Sequence, residues 1–169
     1  MQQRLRDQVI QLREQVITEA LRFLNLSSDT WSGKVIGGAL SSPATRLAEI
    51  VSNYDSLVAG FGLHEESRRI LNRFIRYFDV EGIDQVPTSG PLLIASNHPG
   101  MVDGLLVAAS LPRPDLKIVA TSIPLFANLK AMKEHFILVS RNTFVRLAVV
   151  RSVIRHLQDG GAVLIFPRG

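Results

Sequence analysis

The chain has 169 residues, 46% of them apolar and 20% charged, a globular rather than disordered composition with room for one sizeable core. Nineteen lysines and arginines against 15 acidic residues give a net charge of +4 and a pI near 10.0, which suits an acidic partner such as a phosphate ester, an anionic lipid or nucleic acid. Cysteine is absent, which excludes disulfides, thiolate nucleophiles and Cys-ligated zinc, and only 7% of residues are aromatic with no Lys/Arg run interleaved among them, which argues against nucleic acid.

The polar N-terminus has no apolar segment of the kind a secretory leader carries. From Leu5 to Leu26 the apolar set Leu5, Val9, Leu12, Val16, Ala20 and Phe23 recurs at three- and four-residue spacing, and Ile10, Ile17, Leu21 and Leu24 widen the stripe. This predicts an amphipathic helix, packed on a neighbour or lying in a lipid interface. Ser27 to Ser42 is Ser- and Gly-rich and reads as a loop containing the lone Trp31. Ser42-Pro43 then reads as an N-cap followed by proline at the first helical position, opening a helix to about Ala59 that Gly60 and Gly62 end. A third helix is expected from His64 to about Phe78, with Ile70, Leu71, Phe74, Ile75 and Phe78 inward and Arg68, Arg69, Arg73 and Arg76 as its basic side.

From Val80 the character changes. Short apolar runs bounded by turn residues predict strands at Leu92 to Ala95, Lys117 to Thr121, Phe136 to Val139 and Ala162 to Phe166. Helical stretches at Val102 to Leu111 and Asn142 to Gln158 lie between them, and Asp159-Gly160-Gly161 stops the second. The alternation predicts an α/β fold: an N-terminal helical segment over residues 1–79, then from residue 80 a mostly parallel sheet flanked by helices. The longest stretch without Asp, Glu, Lys or Arg, Gln85 to Val102, holds Pro87, Pro91 and Pro99 and cannot form a spanning helix.

The segment that carries chemistry is Asn97-His98-Pro99-Gly100-Met101-Val102-Asp103. Two residues five apart within one helix point about 140° away from each other, so His98 and Asp103 could not cooperate there. Pro99 and Gly100 break the helix, so His98 can occupy a strand-to-helix turn and face Asp103, at the carboxyl end of a strand where sites in α/β layers collect. Imidazole near its ordinary pKa of ~6.5 is matched to taking a proton from a hydroxyl, and a carboxylate on its other nitrogen fixes the tautomer. A histidine capping a helix is the structural alternative for so short a pattern.

The stretch around His98 resembles the first motif of the glycerol-phosphate and lysophosphatidate (PlsC-like) acyltransferase family. Val80 to Pro87 and Gly90-Pro91-Leu92-Leu93-Ile94 resemble that family's lead-in strand, turn and first core strand. Phe136-Ile137-Leu138-Val139-Ser140-Arg141 resembles its second motif, and Ile165-Phe166-Pro167-Arg168-Gly169 its third, with Arg168 where the family usually has glutamate. The resemblance implies an acyl thioester donor, on coenzyme A or acyl carrier protein, and a phosphate-bearing glycerolipid acceptor at the cytoplasmic surface of a membrane. It implies His98 as general base and Asp103 as its orienter. It puts Asn97, Arg141, Arg168 and Gly169 in the motifs that meet substrate, Arg141 as a phosphate contact. That family's domain continues past its third motif, so the sheet is expected to be incomplete here. A lipid-binding module without turnover and a thioester or lipid hydrolase are the rival readings.

No metal or nucleotide cofactor is expected. His64, His98, His135 and His156 are scattered without metal-ligand spacing, Gly60-Phe61-Gly62 lacks the third glycine of a dinucleotide loop, and Gly33-Lys34 has no P-loop around it.

Overall fold

Helix α1 spans Gln2–Phe23 in a computed structural model that describes residues 2–97, 102–122, 128–139 and 143–167. Two compact units make up the chain, Met1–Ser56 with Ile123–Lys130, and Leu57–Ser122 with Ala131–Gly169. In the first, α1 ends on Asn25, whose φ of 55° is the left-handed conformation asparagine tolerates. Leu26 N–H donates to Leu21 O at 2.8 Å and Asn25 N–H to Arg22 O at 3.0 Å, the paired bonds of a Schellman stop. Leu12 and Leu21 are buried, whereas Ile10, Phe23 and Leu24, counted inward from spacing, are exposed.

Helix α2 spans Trp31–Phe61, so the expected loop over Ser27 to Ser42 stops at Thr30. Thr30 is the true N-cap: its Oγ1 accepts from Gly33 N–H at 3.1 Å. Glycine is required at position 33, because a Cβ there would run into the Ser27 carbonyl. Pro43 therefore lies inside the helix rather than at its start. It removes one backbone hydrogen bond, but neighbouring Ala44 and Ala48 are buried. A Cβ on Gly37 would lie 3.5 Å from Ile17 Cγ2, so the small residues that made this segment look like a loop are those that let α1 and α2 approach closely. Packing overrides propensity here.

In the second unit Gly62, at φ 86°, separates α2 from α3 (Leu63–Leu71). Leu63, Glu66, Ser67 and Leu71 form the buried face of α3, which packs on α4 (Asp103–Ser110), and His64 Nδ1 lies 3.0 Å from Ala108 O. The third helix ends about seven residues earlier than its spacing predicts, and Phe74 is 68% exposed rather than inward. A short 3-10 turn, Ile83–Gln85, stands where a lead-in strand was expected.

The sheet has strands β1 (Leu92–Ala95), β2 (Lys117–Thr121), β3 (Phe136–Val139) and β4 (Ala162–Ile165), in the order β1-β4-β2-β3 among the described residues. Every pairing is parallel, with Leu92 opposite Ala162, Lys117 opposite Val163 and Ile118 opposite Phe136. The fold is thus α/β with a parallel sheet, as the alternation predicts. Ala162, Val163 and Leu164 of the inner strand β4 have no exposed surface, which is why its sequence is continuously apolar. Helix α5 (Lys130–Glu134), five residues long, has no sequence signal. Helix α6 (Thr143–Gln158) packs on β3 and β4. No described helix is long and apolar enough to cross a membrane.

The amino ends of three strands are joined by one side chain. Arg113, buried between α4 and β2, donates from Nη1 to Pro87 O (3.0 Å) and from Nη2 to Gly90 O (2.8 Å) and Gly160 O (3.1 Å). Its Nε and Nη2 also meet Asp115 Oδ1 and Oδ2 at 2.8 and 2.6 Å. These partners immediately precede β1, β2 and β4, so one guanidinium fixes where all three begin.

Candidate active site

Parallel pairing sends the carboxyl ends of all four strands to one edge of the sheet, opposite the Arg113 clasp. There the ladder from β1 runs one residue further, Ser96 N–H donating to Ile165 O at 3.1 Å, before Asn97 leaves the sheet exposed. Helix α4 starts at Asp103, one residue later than the spacing predicts. Asp103 is half-buried, and its carboxylate lies in the first turn, where the helix dipole favours negative charge. Val102, at φ −103° and ψ 0°, makes the entry and accepts from Leu106 N–H at 2.9 Å. His98 belongs to the segment between these two ends and lies outside the described residues.

The strands of the other two motifs, β3 and β4, end at the same edge. Arg141 follows β3 by two residues, and Arg168 and Gly169 follow β4 by three and four; all three lie outside the described residues. β4 is the neighbour of β1, about 5 Å away, whereas β3 is separated from β4 by β2, about 10 Å in all.

A mostly apolar groove of about 700 Å³ runs along β1, between the 78–87 segment and α4. Leu92 to Ala95 line it on the strand, and Leu106, Val107, Ser110 and Leu111 on the helix. It begins within one helical turn of Asp103 and two residues of Asn97. The sequence offers no clear sign of this groove, because its far wall is the irregular chain from Phe78 to Pro87. Leu93, 53% exposed, marks it as an apolar residue left uncovered.

An open parallel α/β sheet with an apolar groove running along its edge strand to the carboxyl end is a setting in which enzymes of this layer bind small molecules. The family model described as Acyltransferase matches residues 77–169, more than half of the chain. The chain belongs to the acyltransferase family, enzymes that move an acyl group from a donor to an acceptor. No match was found among curated proteins or among solved structures.

Proposed function

We propose that the protein is a glycerolipid O-acyltransferase of the glycerol-phosphate and lysophosphatidate type, peripheral at a cytoplasmic membrane surface. The observation that carries this reading is that Asn97 leaves β1 and Asp103 opens α4 on one edge of the sheet, with His98 between them in sequence and an apolar groove alongside. His98 takes the proton of the acceptor hydroxyl as its oxygen attacks the thioester carbon. Asp103 holds the imidazole tautomer and stabilises the imidazolium. The tetrahedral intermediate collapses, the C–S bond breaks, and the departing thiolate of coenzyme A or acyl carrier protein takes the proton back. The groove accepts an acyl chain. Asn97, Arg141, Arg168 and Gly169 surround the acceptor, the arginines facing its phosphate, since a guanidinium fork matches phosphate oxygens. The reaction uses no metal and no acyl-enzyme.

The test is product analysis with a labelled acyl thioester and either glycerol 3-phosphate or lysophosphatidate. Label in an acylated phospholipid product is the expected result. Label released as free fatty acid would make the protein a hydrolase, and unchanged substrate would make it a lipid-binding module.

A further inference from the structure

We propose that the surface formed by Phe61, the end of α3 and the segment to Tyr77 is the face on which the protein docks to an anionic lipid bilayer. This rests on the lipid-acceptor reading above and gives it a point of contact with the membrane. From Ser67 to Phe78 the chain carries four arginines and no carboxylate, bounded by Glu66 before and Asp79 after. The helical winding of α3 persists past its end, with Arg73 N–H donating to Ile70 O (3.1 Å), Phe74 N–H to Leu71 O (2.9 Å) and Ile75 N–H to Leu71 O (2.8 Å). Arg69 and Arg73 are thus one turn apart on one face, while Leu71 is buried and Ile75 half-buried on another.

What lies outward is an unusual mixture. Phe74 is 68% exposed, Tyr77 85% and Phe61 59%. Arg69 lies with its guanidinium 5.0 Å from the centre of the Phe61 ring, and its Nη1 is 3.0 Å from buried Glu66, an ion pair rather than an aligned hydrogen bond. Among the described residues Arg68, Arg73 and Arg76 have no carboxylate partner. A face kept only for solvation would carry the arginines without the uncovered rings, and a protein partner's pocket would not need so many unpaired cations. A bilayer surface matches both: lipid phosphates attract the arginines, and aromatic side chains settle at headgroup depth. The face is also continuous with the groove, since Phe78, Asp79 and Val80, the residues that follow Tyr77, form part of the groove's wall.

The experiment is flotation of the protein with vesicles of phosphatidylcholine containing one quarter phosphatidylglycerol, against phosphatidylcholine alone. Wild type should float with the anionic vesicles and be partly released by salt. The Arg73→Gln/Arg76→Gln double variant should bind at least about tenfold more weakly. Phe74→Ala/Tyr77→Ala should lose the fraction that resists salt, and both rings are exposed enough that their loss leaves the core intact. A Trp31→Phe/Phe74→Trp variant reports the face directly, its emission shifting to the blue on anionic vesicles. Vesicle binding that survives both double variants, or bound protein with unshifted emission, would overturn the proposal, as would preference for single-stranded nucleic acid over the vesicles. Failure here is separable from failure of the acyltransfer reading: His98→Ala should bind vesicles normally, and the surface variants should keep turnover on water-soluble substrates.

Discussion

Arg113 and Asp115 form a two-pronged ion pair, Nε to Oδ1 at 2.8 Å and Nη2 to Oδ2 at 2.6 Å, while the same guanidinium holds the backbone ahead of β1 and β4. The pair lies at the edge of the sheet remote from Asn97 and Asp103, so its role is to fix strand positions rather than to meet substrate. Arg113→Ala removes one member of a largely buried pair and strands three carbonyls. Loss of one partner in a buried pair costs about 3–5 kcal/mol, and the 35% exposure of the Asp115 side chain lowers this to about 2–3 kcal/mol. The urea midpoint checks it. Arg113→Lys should recover little, because an ammonium cannot span the fork.

The same pair makes stability acid-sensitive. The hydrogen bonds from Arg113 hold the Asp115 carboxyl below the usual carboxylate range, against the opposing pull of burial. Arg113 is raised above its already high value by the same bonds and stays charged throughout. A depressed folded-state value means the contribution is fully present above about pH 4, the unfolded carboxylate value, and is lost as pH falls below it toward the folded value. Unfolding midpoints measured between pH 6 and pH 2.5 should fall for wild type. Asp115→Asn should start lower and fall less steeply.

A short contact at the same edge gives a third expectation. His156 Nε2 donates to Asp115 O at 2.7 Å, and its ring lies over Gly161, where any Cβ would collide with it. Gly161→Ala should cost about 1–3 kcal/mol, the usual range for overpacking. Adding His156→Ala should return part of that loss, and a double-mutant cycle in denaturant reads the coupling.

On the proposed mechanism, His98→Ala should lower turnover at least ~100-fold, the low end for a general base, with the unfolding midpoint unchanged. Asp103→Asn should slow turnover without unfolding the protein. A variant lacking His98 that turned over normally would remove the proposed mechanism.

The proposed function gives Arg141 and Arg168, which follow β3 and β4 in the sequence, to the acceptor phosphate. Arg141→Ala and Arg168→Ala should each raise the KM for acceptor about tenfold, ~1.4 kcal/mol, with the donor constant unchanged. Arg168→Glu should raise it further. Higher activity in that variant would contradict the charge argument.

What could be read from the sequence follows from how local each signal is. β1, β2 and β3 were legible to the residue because apolar runs between turn residues need no tertiary information. The start of α2 was not, because Gly37 and Gly38 oppose a helix locally, and the close approach of Gly37 to Ile17 and Leu21 that offsets this is a tertiary contact. The early end of α3, and with it the exposure of Phe74, is equally invisible to periodicity, which counts Phe74 inward. Arg113 escaped notice because Leu-Pro-Arg-Pro-Asp reads as a plain loop; an arginine with an acid two residues on, just before a buried strand, was the available signal. At the candidate site the end of β1 before Asn97 and the opening of α4 at Asp103 were legible from the apolar run and the following helical stretch. His98, Arg141, Arg168 and Gly169 lie outside the described residues, so their roles rest on sequence and on the proposal.

The strand order carries a kinetic consequence. β1, which delivers Asn97, has only β4 as its sheet partner among the described residues, and Leu92 and Ala162 are 70 positions apart in the chain. β2 and β3 can pair across a much shorter loop, Ile118 with Phe136. Closing the long loop costs entropy before any contact returns it, so the β2–β3 half should form early and wait. The carboxyl end of β1 would then be among the last parts of the sheet to be secured, and substitutions in β4 should slow the gain of activity more than the gain of helix.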